Sequence, residues 1–329
     1  MTTLTPITIA ERPDLTIRAR GSRLDAAFRG LALAAGLVVL AVLALIAYST
    51  VDAALPALRA AGLEFVTSDR WAPNAPDGPH LGSLAFVYGT AVVSSIALVL
   101  AVPVSVGIAL FATEIAPRRL RRWITTAVDL LAAIPSVVYG LWGIAVLAPN
   151  ITGVYGWMHR TFGDLPVVGA LFGPASSGRS FMTAGIVLAI MIVPIITSIT
   201  REVLVTVPRG EKEAALALGA TRWEMIRGAV LPHSFGGTVG ATMLGLGRAM
   251  GETIAVALVI GSRPQIVANL FATGDAMPAV IVNQFGESSG TFRSALIALG
   301  VFLFVLTIVV NFMGRVIVNR VQVRFRGAA

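Results

Sequence analysis

Six long apolar stretches constrain this 329-residue chain more than any other feature. They run roughly Leu31–Tyr48, Leu84–Ala112, Trp123–Leu147, Phe181–Thr200, Phe235–Gly261 and Ser294–Val318. A helix needs about 20 mostly apolar residues to cross a hydrocarbon core. Lipid offers the backbone no hydrogen bonds, so an open spanning segment must satisfy itself as helix. The sequence therefore predicts an all-α, polytopic membrane protein with six transmembrane helices. Charge content agrees, because only 13% of residues are charged, about half the fraction of a soluble domain.

The net charge of +8 admits a nucleic-acid binder until the positions of the charges are read. Arg12, Arg18, Arg20, Arg23 and Arg29 precede the first stretch. Arg118, Arg119, Arg121 and Arg122 follow the second. Arg201, Arg209, Lys212, Arg222 and Arg227 follow the fourth, and Arg315, Arg320, Arg324 and Arg326 close the chain. These are most of the 25 basic residues, all on one side of the expected bilayer. The positive-inside rule puts that side, and both termini, in the cytoplasm. The excess charge is topology, and no nucleic-acid partner is expected. The expected organisation is a cytoplasmic segment 1–30, a first transmembrane helix 31–50, an outer loop 51–83, a core 84–318 with a cytoplasmic loop at 201–234, and a tail 319–329. The first helix reads as an uncleaved anchor, since its apolar run is too long for a signal peptide.

Several chemistries drop out. With no cysteine, thiolate chemistry and iron–sulfur clusters are excluded. His80, His159 and His233 are too far apart in sequence for a ligand spacing, so no metal is expected. Lys212 is the only lysine and follows Glu211, so the chain has no P-loop. No cofactor is expected in this chain, and any ATP and magnesium belong on another subunit. Gly286-Glu287-Ser288-Ser289-Gly290 fits a nucleophile-elbow pattern, but an elbow needs a strand before it and a helix after it. The outer stretches Val51–Gly82 and Ala148–Ser180 read as irregular loops, with Tyr155, Trp157 and Phe162 suited to the headgroup level.

The cytoplasmic segment Thr206–His233 carries the most local detail. Glu211 and Glu213 open a short helix, where acids suit the positive dipole end. Gly219 ends it as a residue able to turn left-handed. Thr221-Arg222-Trp223-Glu224 has the form of a capping box for a second helix, limited at Pro232, with Trp223, Ile226 and Val230 on one face. The first helix is too short to stand alone and must rest on something, either its own bundle or a partner.

Polar groups inside apolar stretches are the other signal. Arg248 and Glu252 lie four apart in Gly245–Thr253, so one continuous helix would place them on one face to neutralise each other. A charge at the bilayer centre costs about 2.5–3.5 kcal/mol on insertion scales. Two readings stand: a structural ion pair, or a guanidinium that meets an anion in transit, with the glutamate holding it between passages. Pro135 is expected to kink the third span, with Ser136 and Tyr139 beyond it as neutral donors. Asp129 is expected near the cytoplasmic interface, the alternative being a pair with Arg248 on another helix.

Glu213-Ala214-Ala215, Gly219 and Leu231-Pro232 together resemble the EAA loop of ABC importer permeases. The resemblance implies a coupling helix that fits a groove on an ATPase subunit, with Glu213, Ala214, Ala215 and Gly219 in the coupling element. Three further blocks, LGSLAFVYGTAVVSSIAL at Leu81–Leu98, IPSVVYGLWG at Ile134–Gly143 and LGLGRAMGETIAVALVIG at Leu244–Gly261, resemble the phosphate permeases of that family, nearer the PstC than the PstA branch. The family often has Ile two residues before the Leu-Pro; here that position is Ala229. What the resemblance implies is a type I (MetI-like) permease of the bacterial cell membrane. Its implied partners are a second, PstA-like permease, two PstB-like ATPases and an extracytoplasmic PstS-like phosphate-binding protein, with Arg248 and Glu252 in the phosphate path. The alternatives are a permease for sulfate or molybdate and an ion-coupled secondary transporter.

Overall fold

The computed structural model describes residues 22–175 and 177–326. Arg12, Arg18 and Arg20 lie outside them, as do the side chains of Arg23, Arg324 and Arg326. The chain divides at Thr50 into two units. In the first, the described residues form the start of helix α1 (Ser22–Ala61). Its side chains are apolar on every face and exposed, as at Leu33, Leu37, Leu40 and Leu43. A helix apolar all round belongs in lipid or in a larger core.

The second unit begins in α1, which continues eleven residues beyond the expected helix end at Thr50 and carries Pro56 within it. The outer stretch then holds α2 (Glu64–Thr67) and a two-stranded antiparallel hairpin, β1 (Trp71–Ala72) with β2 (His80–Leu81). Next come α3 (Leu84–Leu110), α4 (Arg118–Ala132), α5 (Ser136–Trp142), α6 (Ala148–Phe162) and α7 (Phe181–Val205). They are followed by α8 (Arg209–Ala217), α9 (Arg222–Met225), α10 (Leu231–Gly251), α11 (Ile254–Val259), α12 (Met277–Gln284) and α13 (Gly290–Arg326).

The all-α membrane class holds, but the count of continuous spans does not. Among the described residues, five helical stretches are long and apolar enough to cross a membrane: Asp25–Ala61, Leu84–Ile115, Ser136–Phe162, Phe181–Val205 and Gly290–Val316. The expected third span, Trp123–Leu147, breaks at Pro135. Proline pushes the residue before it out of the helical region and removes a donor. The crossing stretch therefore begins at Ser136 and runs to Phe162, through what the sequence suggests is loop. Tyr155, expected to face the headgroups, packs inward instead. It is buried, stacks on Phe271 at 4.1 Å between centroids, and shares a 2.7 Å hydrogen bond with the Thr183 hydroxyl. The expected fifth span, Phe235–Gly261, breaks at Glu252, whose backbone is extended (φ −71°, ψ 125°).

Three π-helical turns, Phe111–Ile115, Gly143–Leu147 and Ile226–Val230, each end two residues before a proline: Pro117, Pro149 and Pro232. Before Pro117 the helix has already ended, with Ala116 extended. Where the helix continues, a proline ring collides with the carbonyl four residues back. Before Pro149 and Pro232, widening the turn by one residue moves that carbonyl aside, and the preceding residue bonds five back instead. So Pro232, expected as a stop, lies in the first turn of α10 and the helical path continues through it.

The main core is built from α3, α7, α10 and α11, with Val93, Ala97 and Ala101 against Leu188, Ile192, Ile196, Ala249 and Val256. Helix association in lipid depends on close packing, which small residues permit. A second apolar cluster joins the end of α1 to α2, α3, α12 and α13 through Ala54, Phe65, Phe86, Met277 and Leu296. There the Trp71 indole donates to Gln284 Oε1 at 3.0 Å. A third lies under α8 and is formed by Ala109, Leu204, Val207, Met225, Ile226 and Val230.

Candidate functional site

The two helix breaks are brought together. α5 crosses α11 where a Cβ on Gly140 would lie 2.8 Å from the Ala255 Cα, so only glycine permits the approach. The segment Ser136–Trp142 after the Pro135 break is thereby packed on the segment that follows the Glu252 break. Discontinuous helices of this kind line binding sites in transporters.

Arg248 is in the last turn of α10 and Glu252 is the first residue past its end. Because the helix stops between them, they do not form the expected pair; the ion pairs among the described residues are elsewhere. Glu252 turns inward and is buried. Its Oε1 accepts from the Ala255 N–H at 3.4 Å, capping the start of α11. Around it is a small cavity (≈ 10 Å³) lined by Thr90 and Ser94 of α3, Leu188 of α7, and Ala276 and Pro278, about the volume that admits one water. Arg248 turns the other way and is exposed. Its guanidinium touches the Met191 thioether at 3.9 Å, and Tyr139 lies within reach of its charge.

Tyr139 is buried and its hydroxyl donates to the Leu131 carbonyl at 2.8 Å, across the Pro135 break. Its one proton is committed to holding α4 against α5. Ser136 opens α5 and is half-buried. Asp129 is exposed on α4. The Gly286–Gly290 stretch is a 3-10 turn followed by the start of α13, with no strand before it, and Ser288 Oγ donates to the Phe285 carbonyl.

The segment Thr206–His233 forms a jointed foot, built as local chemistry requires. Gly219 has φ +85°. The N–H of Gly219 reaches the Leu216 carbonyl at 3.0 Å and that of Ala220 the Ala215 carbonyl at 3.2 Å, the bond pair of a Schellman stop. Thr221 and Glu224 form the capping box. The Thr221 N–H holds the Glu224 carboxyl below its usual range. Glu213, Ala214 and Gly219 are exposed, whereas Ala215 turns inward onto the third cluster. Both bases for the foot, its own bundle and an open outer face, are therefore present. Leu218 is 90% exposed at its tip. Ile226 and Val230 are buried, but Trp223 projects outward at 63% exposure.

Sequence reasoning passed over Asp275, in the loop before α12. It is buried, accepts from the Ala276 N–H at 2.8 Å, and lies outside the spanning helices. Burial raises its carboxyl from the ordinary 3.8 to about 7. A lone acid in an apolar loop was the available signal. The folded state binds this proton more tightly than the unfolded state, so stability falls as pH rises from about 4 to about 7 and is level above. Asp275→Asn is expected to unfold at a higher temperature than the parent at pH 8 and at the same temperature at pH 4. The gain at pH 8 is on the order of 4 kcal/mol at most, read by thermal unfolding in detergent.

Broken helices meeting at a buried acid and an outward cation, above a jointed foot, are the parts of a transport permease. The model of the family described as binding-protein-dependent transport system inner membrane component matches residues 101–323. The chain belongs to that family, the membrane permeases of ABC importers. The phosphate transport system permease protein PstC of Xylella fastidiosa (strain 9a5c) is 44% identical over 304 residues, which are 92% of this chain and 93% of that one. PstC 2 of Mycobacterium tuberculosis is 44% identical over 307 residues, 92% and 94% of the two chains. A solved bacterial ABC transporter involved in the import of the acidic polysaccharide alginate aligns with TM-score 0.61 at 18% identity, over 91% of this chain and 99% of that one. At that identity the likeness concerns the fold alone.

Proposed function

We propose that this chain is the phosphate-conducting permease of an ATP-driven importer in the bacterial cell membrane, with both termini in the cytoplasm. Arg248 carries the reading. It is a guanidinium exposed beside two helix breaks, in a chain whose relatives are named phosphate permeases. A planar guanidinium offers fixed donors that match phosphate oxygens two at a time. In lipid its charge would be costly, so it must face a watery path or a partner. Glu252, buried and bonded to the Ala255 N–H, orders the break that presents Arg248, and Ser136 is the neutral hydroxyl that opens α5 at the other break.

A second, PstA-like permease completes the path. Two PstB-like ATPases hold the ATP and magnesium and receive the foot through Glu213, Ala214 and Gly219, while a PstS-like protein delivers phosphate outside. Nucleotide-driven closure of the ATPases moves the foot and switches the path from outward-facing to inward-facing. Arg118, Arg119, Arg121 and Arg122 at the start of α4, Arg201 just before the foot and Arg209 near its start, and Arg315 and Arg320 in α13 support the cytoplasmic placement of the foot.

The test is ATP hydrolysis by the complex reconstituted in liposomes. Phosphate with its binding protein is expected to stimulate hydrolysis several-fold, and sulfate and molybdate are expected not to. Stimulation by those anions would move the assignment to another oxyanion. Uptake indifferent to ATP would move it to ion-coupled transport.

A further inference from the structure

The only lysine in the chain, Lys212, is joined to Glu114. Its Nζ lies 2.7 Å from Glu114 Oε1, with the two side chains 20% and 9% exposed. The partners are 98 residues apart in sequence. Lys212 is on the inner face of α8, one turn before Ala215, and Glu114 is in the π turn that ends α3. The same π turn is held by Arg121, whose guanidinium donates to the Thr113 carbonyl at 2.5 Å.

The rest of α8 is lightly held. Nine residues are too few for a helix to stand alone. Ala215 offers little apolar area to the cluster beneath it. A second contact, Glu211 to His233 at 3.3 Å, has side chains 45% and 39% exposed, and polar pairs that open to water contribute little. The foot runs on in sequence into α7 and α10, and the Lys212–Glu114 pair is the firm side-chain connection that ties it to α3 as well. A part-buried pair such as this one is costly to desolvate and adds little stability over apolar packing, and the best-attested use of such pairs is to fix one geometry.

That helix leads somewhere specific. From Glu114 to Thr90 is a helical path of about 36 Å at the usual rise per residue. At its far end Thr90 and Ser94 line the Glu252 cavity, and Thr90 Oγ1 accepts from the Met277 N–H at 3.0 Å. We propose that the Lys212–Glu114 ion pair is the joint through which the foot drives α3 as a rod, carrying the ATPase stroke to the Glu252 break. The proposal rests on the importer reading, and both residues are positioning residues.

The experiment measures phosphate taken up per ATP hydrolysed by the complex in liposomes. Glu114→Gln and Lys212→Gln are each expected to co-purify with the ATPases and hydrolyse ATP within about threefold of the parent, while uptake per ATP falls at least tenfold. The exchange Glu114→Lys with Lys212→Glu is expected to restore coupling to within threefold. If the exchanged chain does not assemble, Glu114→Cys with Lys212→Cys replaces it, since the native chain has no cysteine. A short cleavable bis-thiol reagent should then restore uptake per ATP, and cleavage should abolish it again. Unchanged uptake per ATP in the single variants overturns the joint, as does failure of both restorations. A parent complex that moves no phosphate sinks the phosphate assignment instead. The joint is then read from nucleotide-driven change in maleimide labelling of Leu84→Cys at the outer end of α3. That change should be present with the pair intact and lost in Glu114→Gln; equal labelling in both overturns the joint.

Discussion

Arg248→Ala is expected to give a complex that assembles normally and imports no phosphate. Assembly should survive because Arg248 is exposed and touches only a thioether, so its loss leaves no buried carboxylate unpaired. Glu252 keeps its own bond to the Ala255 N–H, and the break remains ordered. Transport should fail because nothing else at the breaks supplies a fixed positive charge. Charge-assisted bonds to phosphate are about twice as strong as neutral ones, and here they would be made away from bulk water. Uptake of labelled phosphate into proteoliposomes is expected to drop at least a hundredfold. Arg248→Lys keeps the charge but loses the planar fork, and an intermediate rate is expected. Parental uptake by the alanine variant would take Arg248 out of the path.

Gly219→Trp is the second large effect, at the opposite end of the molecule. Two costs combine. A side chain at φ +85° strains the stop of α8 by roughly 1–2 kcal/mol, which loosens a helix already short. The indole would also project from the exposed tip, where a Cβ meets nothing within 4 Å. That open space is what a docking partner must occupy. Co-purification of the ATPase subunits is expected to be lost, while the permease still inserts and pairs with its partner permease. Retained co-purification would remove the tip from the ATPase contact. Gly219→Ala, with the strain but not the bulk, should weaken association without abolishing it.

The elements that matched expectation are those whose cause is local. The Schellman stop at Gly219 and the capping box at Thr221 and Glu224 depend on residues within one turn of each other. Apolar runs report lipid contact whatever they pack against. Three things could not be read that way. Pro135 was expected to kink a span and instead divides it, because the Tyr139 hydroxyl ties α5 to the Leu131 carbonyl across the break while Gly140 packs α5 on Ala255 of α11. Arg248 and Glu252 were expected on one helical face, a geometry that fails once the helix ends at Gly251. Tyr155 reads as interfacial and is buried, because Phe271 is folded onto it from 116 positions away.

By itself the order of residues determined that the chain is helical, belongs in a membrane and carries a glycine-stopped foot. Hydration, backbone satisfaction and capping act over a few residues, and a linear pattern records them. Only the tertiary structure decided where the spans break, which way Arg248 and Glu252 face, and that Lys212 grips Glu114. Those outcomes depend on contacts between distant segments, where packing of small residues and pairing of desolvated charges select one arrangement among many that the same local preferences allow.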